Sequence, residues 1–182
     1  MGKIRTIRSG GQTGADRAAL DAARSVGVPI TGWCPLGGLA EDCPCPPGLL
    51  LQYPELTETP TNDYYERTAW NVRDSDATLI MFPHELKASV GTEYTIKIAH
   101  EYGRPCLVLD HVDVAKAIEW LDSLGDNLDL NVAGPRLSNF LDVYNMTHTL
   151  VHEVLMHFAV FEDSCDTGVS CEIGVFSDPN AS

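Results

Sequence analysis

The sequence predicts an α/β fold, a Rossmann-like parallel sheet flanked by helices on both faces. Two continuous apolar segments, 77–82 and 105–110, are typical of strands buried on both sides, as strands of a parallel sheet are. Helix-favouring segments alternate with these strand-like segments along the chain. Parallel strands need helical crossovers of fixed hand, and the alternation therefore leaves few other architectures.

The individual elements follow from local composition. Residues 3–9 predict a short strand, and the alanine-rich segment 15–25 predicts a helix that ends at Gly27 and Pro29. Residues 29–34 are extended, whereas 35–61 predict a long loop rich in proline and glycine. The remaining predicted elements are a helix over 64–72, a strand over 77–82, a helix over 92–102, a strand over 105–110, a helix over 114–124, a strand over 128–133 and a helix over 142–161.

Composition and charge exclude several classes of function. The 182 residues carry a formal net charge of -14, whose field repels polyanions, and we expect no nucleic-acid partner. No apolar stretch reaches the ~20 residues of a membrane span, and the first residues lack the apolar core of a signal peptide. We expect a cytoplasmic protein without membrane contact. It would have one Rossmann-like ligand-binding domain over residues 1–162, followed by a tail over 163–182 without a recognisable pattern.

Cysteines and histidines do not form a recognisable metal site. The six cysteines belong to a chain long enough to bury its own core, and we interpret them mostly as free thiols. Cys43 and Cys45 are separated by one residue, not by the two of a zinc or redox pair. His148 and His152 share a helical face without a third histidine at zincin spacing. Cys34 follows the second predicted strand and is interpreted as a wall residue of the site.

Three glycine-containing loops follow predicted strands, where open α/β sheets bind ligands. In the first loop, Thr13 would cap a helix while glycines let backbone N–H groups approach an anion. The second loop opens a helix with glycine and threonine, and the third places Arg136, whose guanidinium suits phosphate, beside a glycine and a proline. The candidate ligand-binding residues are Gly10, Gly11, Gln12, Thr13, Gly14, Asp16, Arg17, Gly91, Thr92, Asn131, Gly134, Pro135, Arg136 and Ser138.

At these residues the chain resembles the putative molybdenum carrier family. The resemblance covers roughly residues 4–155 and rests on the blocks at 9–20, 32–35, 41–42, 67–68, 71–78 and 130–136. It implies a Rossmann-like fold, a homo-oligomer such as a dimer or tetramer, and a crevice that binds the molybdenum cofactor, a pterin phosphate, or a nucleotide-like phosphate ligand. The protein partners it implies are molybdoenzymes that receive the cofactor.

The chain departs from the family pattern at two of the loops. It has Val90 where the family has the first glycine of a Gly-Gly-Thr block, and Leu137 and Asn139 where the family shows a glutamate and a lysine. The related cytokinin-activating phosphoribohydrolases have a catalytic glutamate where this chain has Thr95. A threonine cannot take the acid/base role of a carboxylate. We therefore expect a carrier without catalytic residues, in which the loop amides, Thr13 and Arg136 hold the phosphate.

Two other functions remain open from the sequence. A hydrolase of nucleoside monophosphates would use Glu93 or Asp16 as its carboxylate. An interaction module would bind a protein partner through the Cys43 to Cys45 loop and the acidic tail over 163–182.

Overall fold

The computed structural model describes residues 2–86 and 89–165, with side chains described as far as residue 159. Among these residues, six strands form one sheet, and all neighbouring strands are parallel. The strands are β1 (Ile4–Arg8), β2 (Ile30–Cys34), β3 (Leu56–Glu58), β4 (Ala77–Met81), β5 (Cys106–Leu109) and β6 (Leu128–Ala133). The α-helices are α1 (Ala15–Ser25), α2 (Tyr64–Arg73), α3 (Val90–Glu101), α4 (Val114–Asp122) and α5 (Val143–Cys165), and a short 3-10 helix spans Gly48–Leu51.

Helices cover both faces of the sheet. Helix α1 packs along α5, which also contacts α4, and these helices close over the larger core. On the other face α2 packs against α3 around a smaller cluster that contains Val72, Ile98 and Ala99. Every residue of β4 is buried because this strand has helices on both sides. The predicted fold class is confirmed.

The order of the strands brings the predicted loops together. The sheet runs β3-β2-β1-β6-β4-β5, whereas a common doubly wound order places the fourth strand beside the first. Because β6 pairs with both β1 and β4, the loop after β6 leaves the sheet between the loops that follow those two strands. The carboxyl ends of β1, β6 and β4 therefore open on one crevice.

The main error in the predicted elements is β3. It lies within the segment predicted as a loop over 35–61 and pairs with β2, with Gly32 opposite Leu56. A strand of three residues with one buried side chain is too short to show a periodic pattern. Two helix boundaries differ as well. The last helix, predicted over 142–161, spans Val143–Cys165, and α3 begins at Val90 instead of residue 92.

The predicted C-terminal tail lies mostly outside the described part of the chain. Residues 163–165 continue α5, and residues 166–182 are not described. The proposed protein-binding role of the tail therefore stays a prediction. Of the helices within the described ranges, none has the length and apolar character to cross a membrane.

Candidate functional site

A cleft of about 600 Å³ lies at the carboxyl edge of the sheet. Its walls are the loops after β1 and β6 and the first turns of α2 and α3. This is the size of a small-molecule site, and it stands where parallel α/β sheets bind ligands. The described lining residues are Gly10, Gln12, Asp16, Tyr64, Tyr65, Arg67, Thr68, Ser89, Val90, Gly91, Tyr94, Thr95, Asn131, Val132, Ala133, Gly134, Pro135, Arg136, Ser138 and Asn139.

All three predicted loops contribute to this cleft. The predicted residues that line it are Gly10, Gln12, Asp16, Gly91, Asn131, Gly134, Pro135, Arg136 and Ser138. The other predicted residues, Gly11, Thr13, Gly14, Arg17 and Thr92, are not among the lining residues. The Arg17 guanidinium instead forms an ion pair with Asp42, and Thr92 is buried and donates its hydroxyl to Ser89 Oγ.

The loop between β1 and α1 uses its polar groups inside the protein. The N–H of Gln12 donates to Asp16 Oδ2 (3.4 Å), that of Thr13 to Gln12 Oε1 (3.1 Å) and that of Ala15 to the carbonyl of Pro135 (3.2 Å). The prediction that Thr13 caps α1 is wrong: the N-cap position is Gly14, without a side-chain cap, and the Thr13 hydroxyl donates to Glu41. The N–H groups of Gln12, Thr13 and Ala15 thus brace the loop and are not free to bind an anion.

A buried ion pair joins two sides of the cleft. Arg67 Nη1 lies 3.0 Å from Asp16 Oδ2, and the two side chains are 13% and 4% exposed. Burial raises the pKa of Asp16, although Arg67 and the N–H of Gln12 favour its charged form. Arg67 Nε has no hydrogen-bond partner among the described residues and is buried. Arg67 lines the cleft, and its Nε–H group is left without an acceptor by the ion pair with Asp16.

Gln12 has a fixed amide orientation. Its Oε1 accepts from the N–H groups of Thr13 (3.1 Å) and Glu41 (2.8 Å), so its amide nitrogen is turned away from both. Gln12 is 3% exposed, and Nε2 finds no acceptor in the described chain. A buried donor without an acceptor costs about 1–3 kcal/mol, which a ligand that supplies an acceptor would recover.

Arg136 is the second cation of the cleft. Its guanidinium stands over the ring of Tyr64, with 4.8 Å between Cζ and the ring centroid, and forms no ion pair with the described acidic residues. Its charge nevertheless helps to lower the pKa of Glu41 and counters the rise in that of Asp16. Asp16 is the only carboxylate among the described lining residues, so the cleft is locally basic in an acidic protein.

Aromatic side chains of α2 and α3 form the facing wall. Tyr65 and Tyr94 meet edge to face, with ring centroids 4.8 Å apart, and Tyr64, the residue before Tyr65, also lines the cleft. Aromatic rings beside polar donors are the combination that binds a flat heterocycle. Sequence reasoning did not select these tyrosines as ligand contacts.

Three further side chains near the predicted loops, those of Glu93, Thr95 and Cys34, differ in their access to the cleft. Glu93 is exposed and is not a lining residue, whereas Thr95 lines the cleft and donates its hydroxyl to the Gly91 carbonyl. Cys34, predicted as a wall residue, is instead fully buried and absent from the lining, and burial raises the pKa of its thiol to about 11. In the described ranges, no group of three or more His, Cys, Asp or Glu side chains is arranged to hold a metal ion.

Arg67 is the main site residue that the sequence did not assign. The short strand β3 precedes α2 and places the first turns of that helix at the carboxyl edge of the sheet. The helix itself was predicted, but without β3 the sequence did not indicate that this helix begins at the carboxyl edge of the sheet. A basic residue within the first two turns after a recognised strand would have been the signal.

The fold and the cleft together define a Rossmann-like protein that binds a small ligand. The model of the circularly permutated YpsA SLOG family matches residues 7–155, and the chain belongs to this family. The chain is also similar to a solved protein from Syntrophus aciditrophicus named a putative molybdenum carrier protein. The two are 41% identical, the match covers 85% of this chain and 96% of that one, and the TM-score is 0.73. The family resemblance drawn from the sequence is confirmed. No curated protein matches the chain.

Proposed function

We propose that this protein is a cytoplasmic binding and carrier protein for a phosphate-bearing heterocycle, namely the molybdenum cofactor. A nucleotide of similar shape is the alternative ligand. The name of the Syntrophus protein supports a molybdenum-related ligand, and the cleft supports a phosphate and a flat ring. Homo-oligomerisation and delivery of the cofactor to molybdoenzymes are further parts of this proposal.

The observation that carries the proposal is the guanidinium of Arg136, which has no ion-pair partner among the described residues. In a protein with a net charge of -14, most of the described lysines and arginines form ion pairs, whereas Arg136 contacts an aromatic ring at the edge of a cleft. A guanidinium held in place with its donors free suits a phosphate oxygen pair. The overall field does not attract an anion, so the local donors have to hold it.

The remaining lining groups fit the other parts of such a ligand. The first N–H groups of α3, at Val90 and Gly91, have no acceptor within the helix and carry its positive dipole end. We place the phosphate between this helix end and Arg136. The ring would then lie against the tyrosine wall, with Gln12 and Asn131 as hydrogen-bonding partners from the floor.

The hydrolase alternative lacks a suitable carboxylate among the described residues of the cleft. Glu93 does not line it, and Asp16 is occupied by Arg67 and the N–H of Gln12. An N-glycosidic hydrolase needs a carboxylate that reaches the sugar. No observation of this structure favours hydrolysis, and an assay for free adenine released from AMP tests it directly.

The test of the proposal is an Arg136→Ala substitution with calorimetric titration of AMP and, under anaerobic conditions, of the molybdenum cofactor. We expect the affinity to fall about 10- to 100-fold, because hydrogen bonds to a charged group contribute about 1.5–3 kcal/mol. Arg104→Ala is the matched control, since Arg104 donates to the carbonyl of Arg73 and does not line the cleft. Equal affinities of the two variants would contradict this placement of the phosphate.

A further inference from the structure

Glu41 lies outside the cleft but contacts two of the loops that form it. Its carboxylate accepts from the hydroxyl of Thr13 in the loop after β1 and from Ser138 Oγ (2.7 Å) in the loop after β6. The N–H of Ser138 also donates to Glu41 Oε1 (3.4 Å). One side chain of the segment between β2 and β3 thus joins the loops that follow two adjacent strands.

Hydrogen bonds hold the residues before and after Arg136 in the chain. The carbonyl of Pro135, the residue before it, accepts from the N–H of Ala15, and the N–H of Leu137, the residue after it, donates to Thr13 Oγ1 (3.4 Å). Ser138 follows and is bound to Glu41. The backbone is therefore held on both sides of Arg136, while the side chain itself has no ion-pair partner among the described residues.

The backbone of Glu41 makes a third connection to the cleft. Its N–H donates to Gln12 Oε1 (2.8 Å), one of the two bonds that fix the orientation of this buried amide. Glu41 thus contacts both the buried amide of Gln12 and the loop that carries Arg136.

We propose that Glu41 is a positioning residue of the ligand cleft, whose carboxylate holds the loop between β6 and α5 so that Arg136 faces the ligand. This inference rests on the proposed function, because it assigns Arg136 to the ligand. Glu41 itself touches no ligand in this account. Burial raises the pKa of Glu41, but the hydrogen bonds from Thr13 and Ser138 outweigh this effect, and the pKa is lowered overall. The contact is thus made by a carboxylate at neutral pH.

Positioning and simple electrostatics predict opposite effects of neutralising Glu41. Removal of a negative charge near Arg136 would by itself strengthen the binding of an anion. If Glu41 positions the loop, its neutralisation weakens binding, because Gln replaces one accepting oxygen with an NH2 group and turns the charge-assisted hydrogen bonds from Thr13 and Ser138 into weaker neutral ones. The sign of the change therefore separates the two roles.

The experiment compares Glu41→Gln with Asp42→Asn in calorimetric titrations with AMP and with the molybdenum cofactor. Asp42 is the adjacent carboxylate, and it forms an ion pair with Arg17 away from the lining residues. We expect Glu41→Gln to weaken binding about fivefold or more, whereas Asp42→Asn leaves it unchanged or slightly stronger. Unchanged or stronger binding by Glu41→Gln would overturn the proposal.

A double-mutant cycle tests whether Glu41 acts through Arg136. If it does, Glu41→Gln combined with Arg136→Ala binds within about twofold of Arg136→Ala alone, because the second change has nothing left to disturb. A general loss of structure would instead add its own penalty in the double variant. Additive losses would overturn the assignment.

Hydrogen exchange gives a readout that needs no ligand. We expect the amide of Ser138 to exchange faster in Glu41→Gln than in Asp42→Asn and in the unaltered protein. Equal rates would overturn the positioning role. If the unaltered protein binds neither AMP nor the cofactor, the proposed function fails, and the role of Glu41 in ligand binding fails with it. If it binds but Glu41→Gln has no effect, only the role of Glu41 fails.

Discussion

The guanidinium of Arg67 lies against the backbone of Gly10. A Cβ at Gly10 would stand 1.9 Å from Arg67 Nη1 and 2.9 Å from Asp16 Oδ2, so the buried ion pair uses the space that a side chain would fill. The glycine is needed here for close approach by another residue. The charge balance at the floor of the cleft thus depends on a position without a side chain.

Gly10→Ala is expected to displace Arg67 from Asp16 and to lower the free energy of unfolding by about 3 kcal/mol, the typical cost of leaving one member of a buried ion pair alone. Urea denaturation measures the change. Gly91→Ala is the control, since a Cβ there meets no atom within 4 Å and the residue lies in a helix, where alanine is favoured by up to about 1 kcal/mol. A Gly10→Ala protein as stable as the unaltered one would show that the ion pair does not need this space.

The two arginines selected from the sequence have different surroundings. Arg17 forms an ion pair with Asp42 and lies over the ring of Tyr53, whereas Arg136 lies over the ring of Tyr64 and forms no ion pair within the described ranges. Both follow a glycine-containing turn, so their sequence contexts do not separate them. The difference comes from Asp42, which belongs to a segment distant in sequence. Such partners are set by the fold and were not predictable.

At the scale of elements, Asp74 joins β2 to the end of α2. It accepts from Arg73 and from Trp33 Nε1 (2.7 Å), and Trp33 in turn meets Trp70 edge to face. The hydrogen bond from Arg73, together with that from Trp33, lowers the pKa of Asp74 despite partial burial. Asp74, in the turn between α2 and β4, therefore also has a packing role.

The lowered pKa of Asp74 gives a pH dependence of fixed sign. A carboxylate with a depressed folded-state pKa stabilises the protein above its ordinary pKa, and this contribution is lost as the pH falls through the folded value. We expect Asp74→Asn to lower the free energy of unfolding at pH 7 and to have a smaller effect near pH 3. Urea denaturation at both pH values measures it, with the exposed Glu119→Gln as control. An effect that is the same at both pH values would contradict the assignment.

Elements with strong local signals were predictable, and those defined by long-range contacts were not. The uniformly apolar β4 and the alanine-rich α1 show their type in a short window. Strand β3 exists through its pairing with β2, because its three residues have little periodicity of their own. Tyr64, Tyr65 and Arg67 belong to α2, the helix that follows β3, and their position at the cleft was missed together with that strand.

At the scale of the whole molecule, the order of the strands accounts for the site. Placing β6 between β1 and β4 brings three loops that are far apart in sequence to one edge of the sheet. Their convergence was predictable from the alternation of elements, whereas their roles were not. The loop after β1 braces the structure through the N–H groups of Gln12, Thr13 and Ala15, and the loop after β6 presents Arg136, which has no ion-pair partner in the described part of the chain.

The central claim is that this cleft binds the molybdenum cofactor or a similar phosphate-bearing heterocycle. Anaerobic thermal unfolding of the purified protein alone, with the cofactor, with AMP and with molybdate tests it most directly. A ligand at 100 times its dissociation constant adds about 2.7 kcal/mol to the stability. We predict that the cofactor raises the melting temperature. Molybdate alone is expected to leave it unchanged, because the metal oxyanion lacks the ring. An unchanged melting temperature with both the cofactor and AMP would contradict the claim.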